Sequence, residues 1–402
     1  MVLSLLALLP ACTSEPEATS VTVPVPEPET AVAREDLQRV VWISIDTTRA
    51  DRLTPYGYDR STTPALEAWG ASATVFDRAT SHAPWTKPSM ASVFTSTLPD
   101  VHGVTQWNTA LDPEQPTVAL VLQEAGFATV AHVGSFALDA ASNTFHLGFD
   151  TYDPSSWKEQ GGNPHNVETS TALTDQAVAS FDRLVEDDAP FFLWVHYYDP
   201  HFHYLPHEAH DFGSAESDVY DGEIAHSDAE LGRLLAAIDA VDDVLVVFHA
   251  DHGEEFGDHG GSRHTRTLYD ELVHVPLMLK VPGCPPGRIP ANVGLIDVAP
   301  SVLQLLDVAV PYTFEGTSLL GPSGCPRVDA DRLVLTETRR QGQLRGSFDG
   351  RYKVIRHEGT GAVEVYDVRA DPLEQDDLAG QDEDFDAARL QAVEARYGPL
   401  GG

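Results

Sequence analysis

Four runs of continuous apolar residues constrain the fold of this chain more than any other feature. The runs lie at 39–45, 128–133, 191–196 and 244–249. Their length and their β-branched and aromatic side chains indicate strands that are buried on both faces. Helical patterns lie between them, for example at 117–125 and 223–240. Strands that alternate with helices predict an α/β fold, in which helices cover both faces of a mostly parallel sheet.

Side chains that can bind a metal follow three of these runs. Asp46 ends the first run, residues 198–201 (Tyr-Asp-Pro-His) follow the third, and Asp251 and His252 follow the fourth. Because ligands gather at the carboxyl ends of parallel strands, we expect these side chains to converge on one site. Adjacent Asp and His supply one carboxylate oxygen and one imidazole nitrogen, and Gly253 permits a close approach of the backbone. The pattern therefore predicts a metal site.

The segment 84–95 is typical of a loop that enters a helix, with Pro88 in the first turn. A hydroxyl at Thr86 would face the positive end of the helix dipole. It would serve either as a helix cap or, in contact with a divalent cation, as a nucleophile. The local sequence alone favours the cap.

The formal net charge of −37 argues against nucleic acid as a partner, because a polyanion is repelled by such a chain. An acid-rich soluble surface is the simplest interpretation of this charge. A cleft that binds an anionic ester must then be locally positive, and a bound divalent cation would make it so.

The first twelve residues resemble a lipoprotein-type export signal. Their apolar run, 2–9, is too short to span a bilayer and leads to Cys12, the predicted site of lipidation. Residues 13–37 are rich in Pro, Glu, Thr and Val, which predicts a disordered tether. We therefore expect an exported, periplasmic or membrane-anchored lipoprotein, with an accidental apolar leader as the alternative. Cys284 and Cys325 would form either a disulfide or two free thiols.

The character of the chain changes near its C-terminus. Residues 323–402 contain four short strand patterns, followed by an acidic tail. The strand patterns lie at 333–336, 342–348, 352–356 and 363–366. We predict a small α+β subdomain and tail at 323–402, after a catalytic domain at 38–322.

Residues 41–107, with 251–253 and 267–277, resemble the sulfatase family within the alkaline-phosphatase superfamily. Segments 349–354 and 364–372 are similar to the small terminal subdomain of that family. The resemblance implies an alkaline-phosphatase-like three-layer sandwich with a mostly parallel central sheet. It also implies a metal-dependent hydrolase of sulfate or phosphate esters. The substrate would be a small molecule or a glycan or lipid ester.

The resemblance also implies a metal centre. Asp46, Asp251 and His252 would bind the ion, and Thr86 would be the nucleophile that also contacts it. Mixed Asp and His ligands suit Zn²⁺ or Mn²⁺, whereas the usual ion of the family is Ca²⁺.

Other roles carried over by position concern the substrate and a second ion. His201 or His264 would protonate the leaving alcohol, and Arg266 and Lys87 would bind the substrate. Asp199, His203 and His264 form a possible second metal site. Three other histidines are interpreted as packing residues: His196, His226 and His249.

Two departures separate this chain from classical sulfatases. They carry Cys or Ser in a C/S-x-P-x-R pattern that is oxidised to formylglycine, whereas residues 86–90 here are Thr-Lys-Pro-Ser-Met. No formylglycine is therefore expected. Residues 134–137 (Gly-Ser-Phe-Ala) replace the G-K-W-H-type segment of the family. Thr86 resembles the nucleophile of phosphodiesterases and of phosphoethanolamine or phosphoglycerol transferases. These activities are the alternatives, together with a catalytically silent, anchored binding protein.

Overall fold

The computed structural model describes residues 37–139, 143–159 and 164–399. The predicted export signal, Cys12 and all but the last residue of the predicted tether lie outside the described residues. In the described part of the chain, no helix is both long enough and apolar enough to cross a membrane.

Twelve strands and ten α-helices form in the described residues. The strands are β1 Arg39–Ile45, β2 Thr74–Thr80, β3 Ala128–Val133, β4 Thr151–Asp153, β5 Phe191–Tyr197, β6 Val244–Ala250, β7 His274–Lys280, β8 Gly287–Gly294, β9 Val334–Thr338, β10 Leu344–Phe348, β11 Tyr352–His357 and β12 Val363–Asp367. The helices are α1 Pro64–Gly70, α2 Thr86–Thr95, α3 Pro99–His102, α4 Val118–Glu124, α5 Ser155–Lys158, α6 Ser170–Glu186, α7 Glu216–Asp239, α8 Asp270–Val273, α9 Val298–Leu305 and α10 Glu383–Tyr397.

A mixed sheet of eight strands forms the centre of the molecule, in the order β4-β3-β5-β1-β6-β7-β2-β8. Five neighbouring strands, from β4 to β6, are parallel, and β7 runs against both of its neighbours. Every residue of β5 and β6 is buried, as a strand covered on both faces requires. The predicted mostly parallel sheet is confirmed, and the four apolar runs are β1, β3, β5 and β6.

The strand order explains how the predicted ligands meet. β1 lies between β5 and β6, and Ile45 is in register with Tyr197 on one side and Ala250 on the other. Asp46 and Asp251 therefore leave adjacent parallel strands at the same level. The predicted convergence at the carboxyl ends of the strands follows from this register.

A second sheet of four antiparallel strands, β12-β11-β10-β9, forms near the C-terminus. Its strands lie where the four short patterns predict them. The predicted acidic tail includes a helix, α10, which packs on β10 and β11. A disulfide joins Cys284 to Cys325, which resolves the alternative left open by the sequence.

Candidate active site

Thr86 is the first residue of α2, a helix whose ten residues are all buried. The residue that caps this helix is Trp85, and no side chain forms a capping hydrogen bond there. The Thr86 hydroxyl instead points to Asp46 and His252. Its Oγ1 lies 3.4 Å from each Asp46 carboxylate oxygen and 3.3 Å from His252 Nε2. The structure therefore departs from the cap that the local sequence favours.

Asp251 is anchored by one of its two carboxylate oxygens. Its Oδ1 accepts hydrogen bonds from the backbone N–H groups of Thr47 and His252, at 3.1 and 2.8 Å. Its Oδ2 is buried and has no hydrogen-bond partner among the described residues. Because a buried carboxylate oxygen is costly to leave unsatisfied, this atom is a candidate ligand for a cation.

His196 joins Asp46 and Asp251 in this cluster. The ligand atoms of these three side chains lie within 4.8 Å of one another, and His196 Nε2 lies 3.3 Å from Asp46 Oδ2. Its Nδ1 contacts the Ser44 hydroxyl at 2.7 Å, which fixes the ring orientation. The interpretation of His196 as a packing residue missed this position, because it depends on β5 lying beside β1.

The charges of the cluster fit a divalent cation. Burial raises the pKa of Asp46 well above its ordinary value. Burial, reinforced by the Asp46 carboxylate, does the same for Asp251. Burial lowers the pKa of His196 to about 4 and holds that of His252 well below its usual range. Two carboxylates and two neutral imidazoles, all fully buried, form a donor set that a cation would satisfy.

The loop after β6 depends on Gly253, as the sequence predicts. A Cβ atom at this position would lie 2.0 Å from the Glu271 carbonyl oxygen. The Gly253 N–H donates to the Leu272 carbonyl at 2.9 Å, and Ser89 donates its hydroxyl to the Asp251 carbonyl at 2.6 Å. These contacts fix the loop against α8 and α2.

His264 lies between His252 and His201, with ring centres 4.6 and 5.1 Å away. Its Nδ1 lies 2.9 Å from the Glu254 carboxylate, which also accepts a hydrogen bond from Tyr204 at 2.7 Å. Burial raises the pKa of Glu254 to about 7. Burial, with the nearby Arg340 and Arg263, lowers that of His264 to about 3. The sequence places Glu254 near the ligands but gives no sign of this pairing.

The two predicted substrate-binding cations have different surroundings. Lys87 is buried, and its Nζ donates to the carbonyls of Trp107 and Thr109 at 2.8 and 2.7 Å. Arg266 is exposed and donates to Gln341 at 2.6 Å. Lys87 therefore holds a loop beside the site, and the substrate-binding roles of Lys87 and Arg266 stay predictions.

Among residues 37–139, 143–159 and 164–399, no candidate ligand group joins Asp199 to His203 and His264, and the second metal site stays a prediction. Asp199 caps α6, since its carboxylate accepts hydrogen bonds from Thr169 N and Ser170 N, both at 2.8 Å. His203 is exposed. Among the described residues, Asp199 instead forms a possible ligand group with Glu168 and His226. The D-x-x-x-H spacing does not distinguish a ligand from a helix cap.

Comparison with known proteins identifies the family. The Sulfatase family profile matches residues 38–308, more than half of the chain. The ulvan-active sulfatase of Formosa agariphila is 26% identical over 399 residues, which cover 86% of this chain and 77% of that protein. Mouse arylsulfatase K is 32% identical over 105 residues, 25% of this chain and 19% of that protein.

Solved structures share the fold. A protein solved with its substrate D-glucosamine-2-N,6-O-disulfate has a TM-score of 0.77 at 19% identity, over 89% of this chain and 97% of that chain. The phosphonate monoester hydrolase of Agrobacterium radiobacter has a TM-score of 0.72 at 19% identity, over 89% of this chain and 94% of that chain. The predicted family is thus confirmed: this chain belongs to the sulfatase family.

Proposed function

We propose that this chain is a metal-dependent hydrolase of sulfate or phosphate esters in which Thr86 is the nucleophile. The observation that carries the proposal is the position of the Thr86 hydroxyl. It lies at the start of a buried helix, 3.4 Å from the Asp46 carboxylate and 3.3 Å from His252. The helix dipole favours an oxyanion there, and a cation held by this ligand cluster would favour it further.

Four side chains would hold the cation: Asp46, Asp251, His252 and His196. When bound, a divalent ion would lower the pKa of the Thr86 hydroxyl and offset the charge of the ester. Mixed carboxylate and imidazole ligands favour Zn²⁺ or Mn²⁺ over Ca²⁺.

The reaction has two displacements. Thr86 releases its hydroxyl proton to solvent, and its Oγ1 forms a bond to phosphorus or sulfur while the bond to the alcohol oxygen breaks. Protonated His264 or His201 donates its proton to that alcohol oxygen. Water then gives a proton to the same imidazole and attacks the same central atom, the Oγ1 bond breaks, and Oγ1 regains a proton from solvent. The Glu254 carboxylate, 2.9 Å from His264 Nδ1, would orient that imidazole.

Thr86 favours a second candidate, hydrolysis or transfer of a phosphate ester, including a phosphodiester. A formylglycine hydrate has a second hydroxyl through which a sulfated intermediate can collapse, and threonine has none. The threonine ester must therefore be opened at its central atom by water or by another alcohol.

Hydrolysis of matched aryl esters separates these candidates. Zn²⁺, Mn²⁺ or Ca²⁺ would be added in turn. We expect the wild-type protein to release 4-nitrophenol from 4-nitrophenyl sulfate, from 4-nitrophenyl phosphate or from the diester bis(4-nitrophenyl) phosphate. A preference for the sulfate supports sulfate ester hydrolysis, and a preference for either phosphate supports the second candidate. Metal uptake without release from any of the three esters would contradict both and leave a silent binding protein.

We also propose that the protein is exported and anchored through a lipid on Cys12. The Cys284–Cys325 disulfide supports an oxidising compartment, where such bonds persist. In a bacterial host, the wild-type protein should incorporate labelled palmitate and sediment with membranes, and a Cys12→Ala variant should do neither. Equal labelling of the two proteins would exclude this anchor.

A further inference from the structure

Arg340 is a cation beside the candidate active site. Its guanidinium carbon lies 4.9 Å from the centre of the Trp85 ring and 5.1 Å from that of Trp107. Within residues 37–139, 143–159 and 164–399, it has neither a hydrogen bond nor a carboxylate at ion-pair distance. Burial lowers the pKa of Arg340. The preceding residue differs, because Arg339 pairs with Glu337.

The position of Arg340 connects it to the chemistry. Trp85 directly precedes Thr86. Lys87 directly follows it, and the Lys87 Nζ lies 5.7 Å from the centre of the same Trp107 ring that Arg340 faces. Arg340 therefore shares its aromatic neighbours with the residues on either side of Thr86.

The surroundings of Arg340 are aromatic and open on one side. Trp107 is 42% exposed, and its ring centre lies 5.5 Å from that of Phe136. The Phe136 ring in turn lies 6.4 Å from that of His201, a candidate proton donor to the leaving alcohol. Aromatic faces of this kind bind planar or apolar faces of a ligand, and the guanidinium offers a planar fork for an oxyanion.

We infer that Arg340, Trp85 and Trp107 form a subsite for a second anionic group, carried by the alcohol part of the ester. A chain with a net charge of −37 has many carboxylates available to pair with Arg340, so the lack of one among the described residues points to a ligand anion. The substrate class is then an ester whose alcohol bears a carboxylate, sulfate or phosphate in addition to the reacting group. This inference rests on the proposed ester hydrolysis.

Binding to a Thr86→Ala protein tests the subsite without turnover. The probes are phenyl sulfate and 4-carboxyphenyl sulfate, with the two corresponding phosphates, measured by titration calorimetry on the metal-loaded protein. We expect the carboxylated ester to bind about tenfold more tightly, as one charge-assisted hydrogen bond allows. Adding Arg340→Gln should abolish this difference and leave the affinity for the phenyl ester unchanged. Adding the matched change Arg339→Gln should preserve the difference.

Three results would overturn the subsite. In the first, Arg340→Gln weakens the binding of both esters equally. In the second, Arg340→Gln weakens the binding of neither ester. In the third, Arg339→Gln weakens the binding of the carboxylated ester as much as Arg340→Gln does. If the carboxylated ester binds more tightly through Arg340 but the wild-type protein turns over no ester, the proposed function fails and the subsite stands. If no probe binds at all, both proposals are contradicted.

Discussion

Replacement of Thr86 with alanine is expected to lower kcat by about 10⁴-fold or more while the metal content stays unchanged, because removing a nucleophile eliminates the covalent route. The change removes one hydroxyl and one methyl group and leaves the four candidate ligands in place. kcat would be measured on the aryl ester that the wild-type protein hydrolyses best. Metal content would be measured by mass spectrometry of the purified protein.

Thr86→Ser is the matched control. Serine keeps the hydroxyl at the first position of α2, so this variant should retain activity within about tenfold of the wild type. Near-normal turnover by Thr86→Ala would contradict the mechanism. Loss of the metal in Thr86→Ala would instead assign the hydroxyl an essential role as a ligand.

Replacement of Asp251 with asparagine is expected to lower metal affinity by about 10³-fold and to abolish activity at micromolar metal, because it removes a charged ligand. The amide oxygen can still accept the hydrogen bonds that Thr47 and His252 donate to Asp251 Oδ1. The change also removes a buried carboxyl group whose charged form is disfavoured by burial and by the neighbouring Asp46 carboxylate, as its raised pKa indicates. The metal-free variant should therefore be at least as stable in urea as the metal-free wild type.

Asp228→Asn provides a control for removal of a buried carboxylate elsewhere. Asp228 accepts hydrogen bonds from Ala65 N and Leu66 N, at 2.8 and 2.9 Å, at the start of α1. This variant should lose stability and keep its metal. Stoichiometric, tightly bound metal in Asp251→Asn would exclude Asp251 as a ligand.

The sequence predicts the part of the site that depends on local pattern. Continuous apolar runs mark β1 and β6, and the residue that follows a buried parallel strand lies at the ligand-binding edge of the sheet. Asp46, Asp251 and His252 could therefore be placed together before the strand order was known. The position of Thr86 ahead of Pro88, together with the family resemblance, predicts that its hydroxyl lies at the same site.

The remaining residues depend on contacts between distant segments. His196 reaches Asp46 because β5 lies next to β1. Arg340 reaches Trp85 across more than 250 positions of the chain, from the turn between β9 and β10. Asp199 matches a two-metal spacing, yet its carboxylate caps α6. Spacing along the chain carries no information about these three-dimensional contacts.

Trapping of the covalent intermediate tests the central claim most directly. The wild-type protein would be mixed with its preferred aryl ester, quenched in acid during the first turnover, digested and analysed by peptide mass spectrometry. We predict one sulfo or phospho group on Thr86, absent from Thr86→Ala and from protein quenched without substrate. Release of the aryl alcohol with no modified peptide, or with the group on another residue, would contradict the role of Thr86 as the nucleophile.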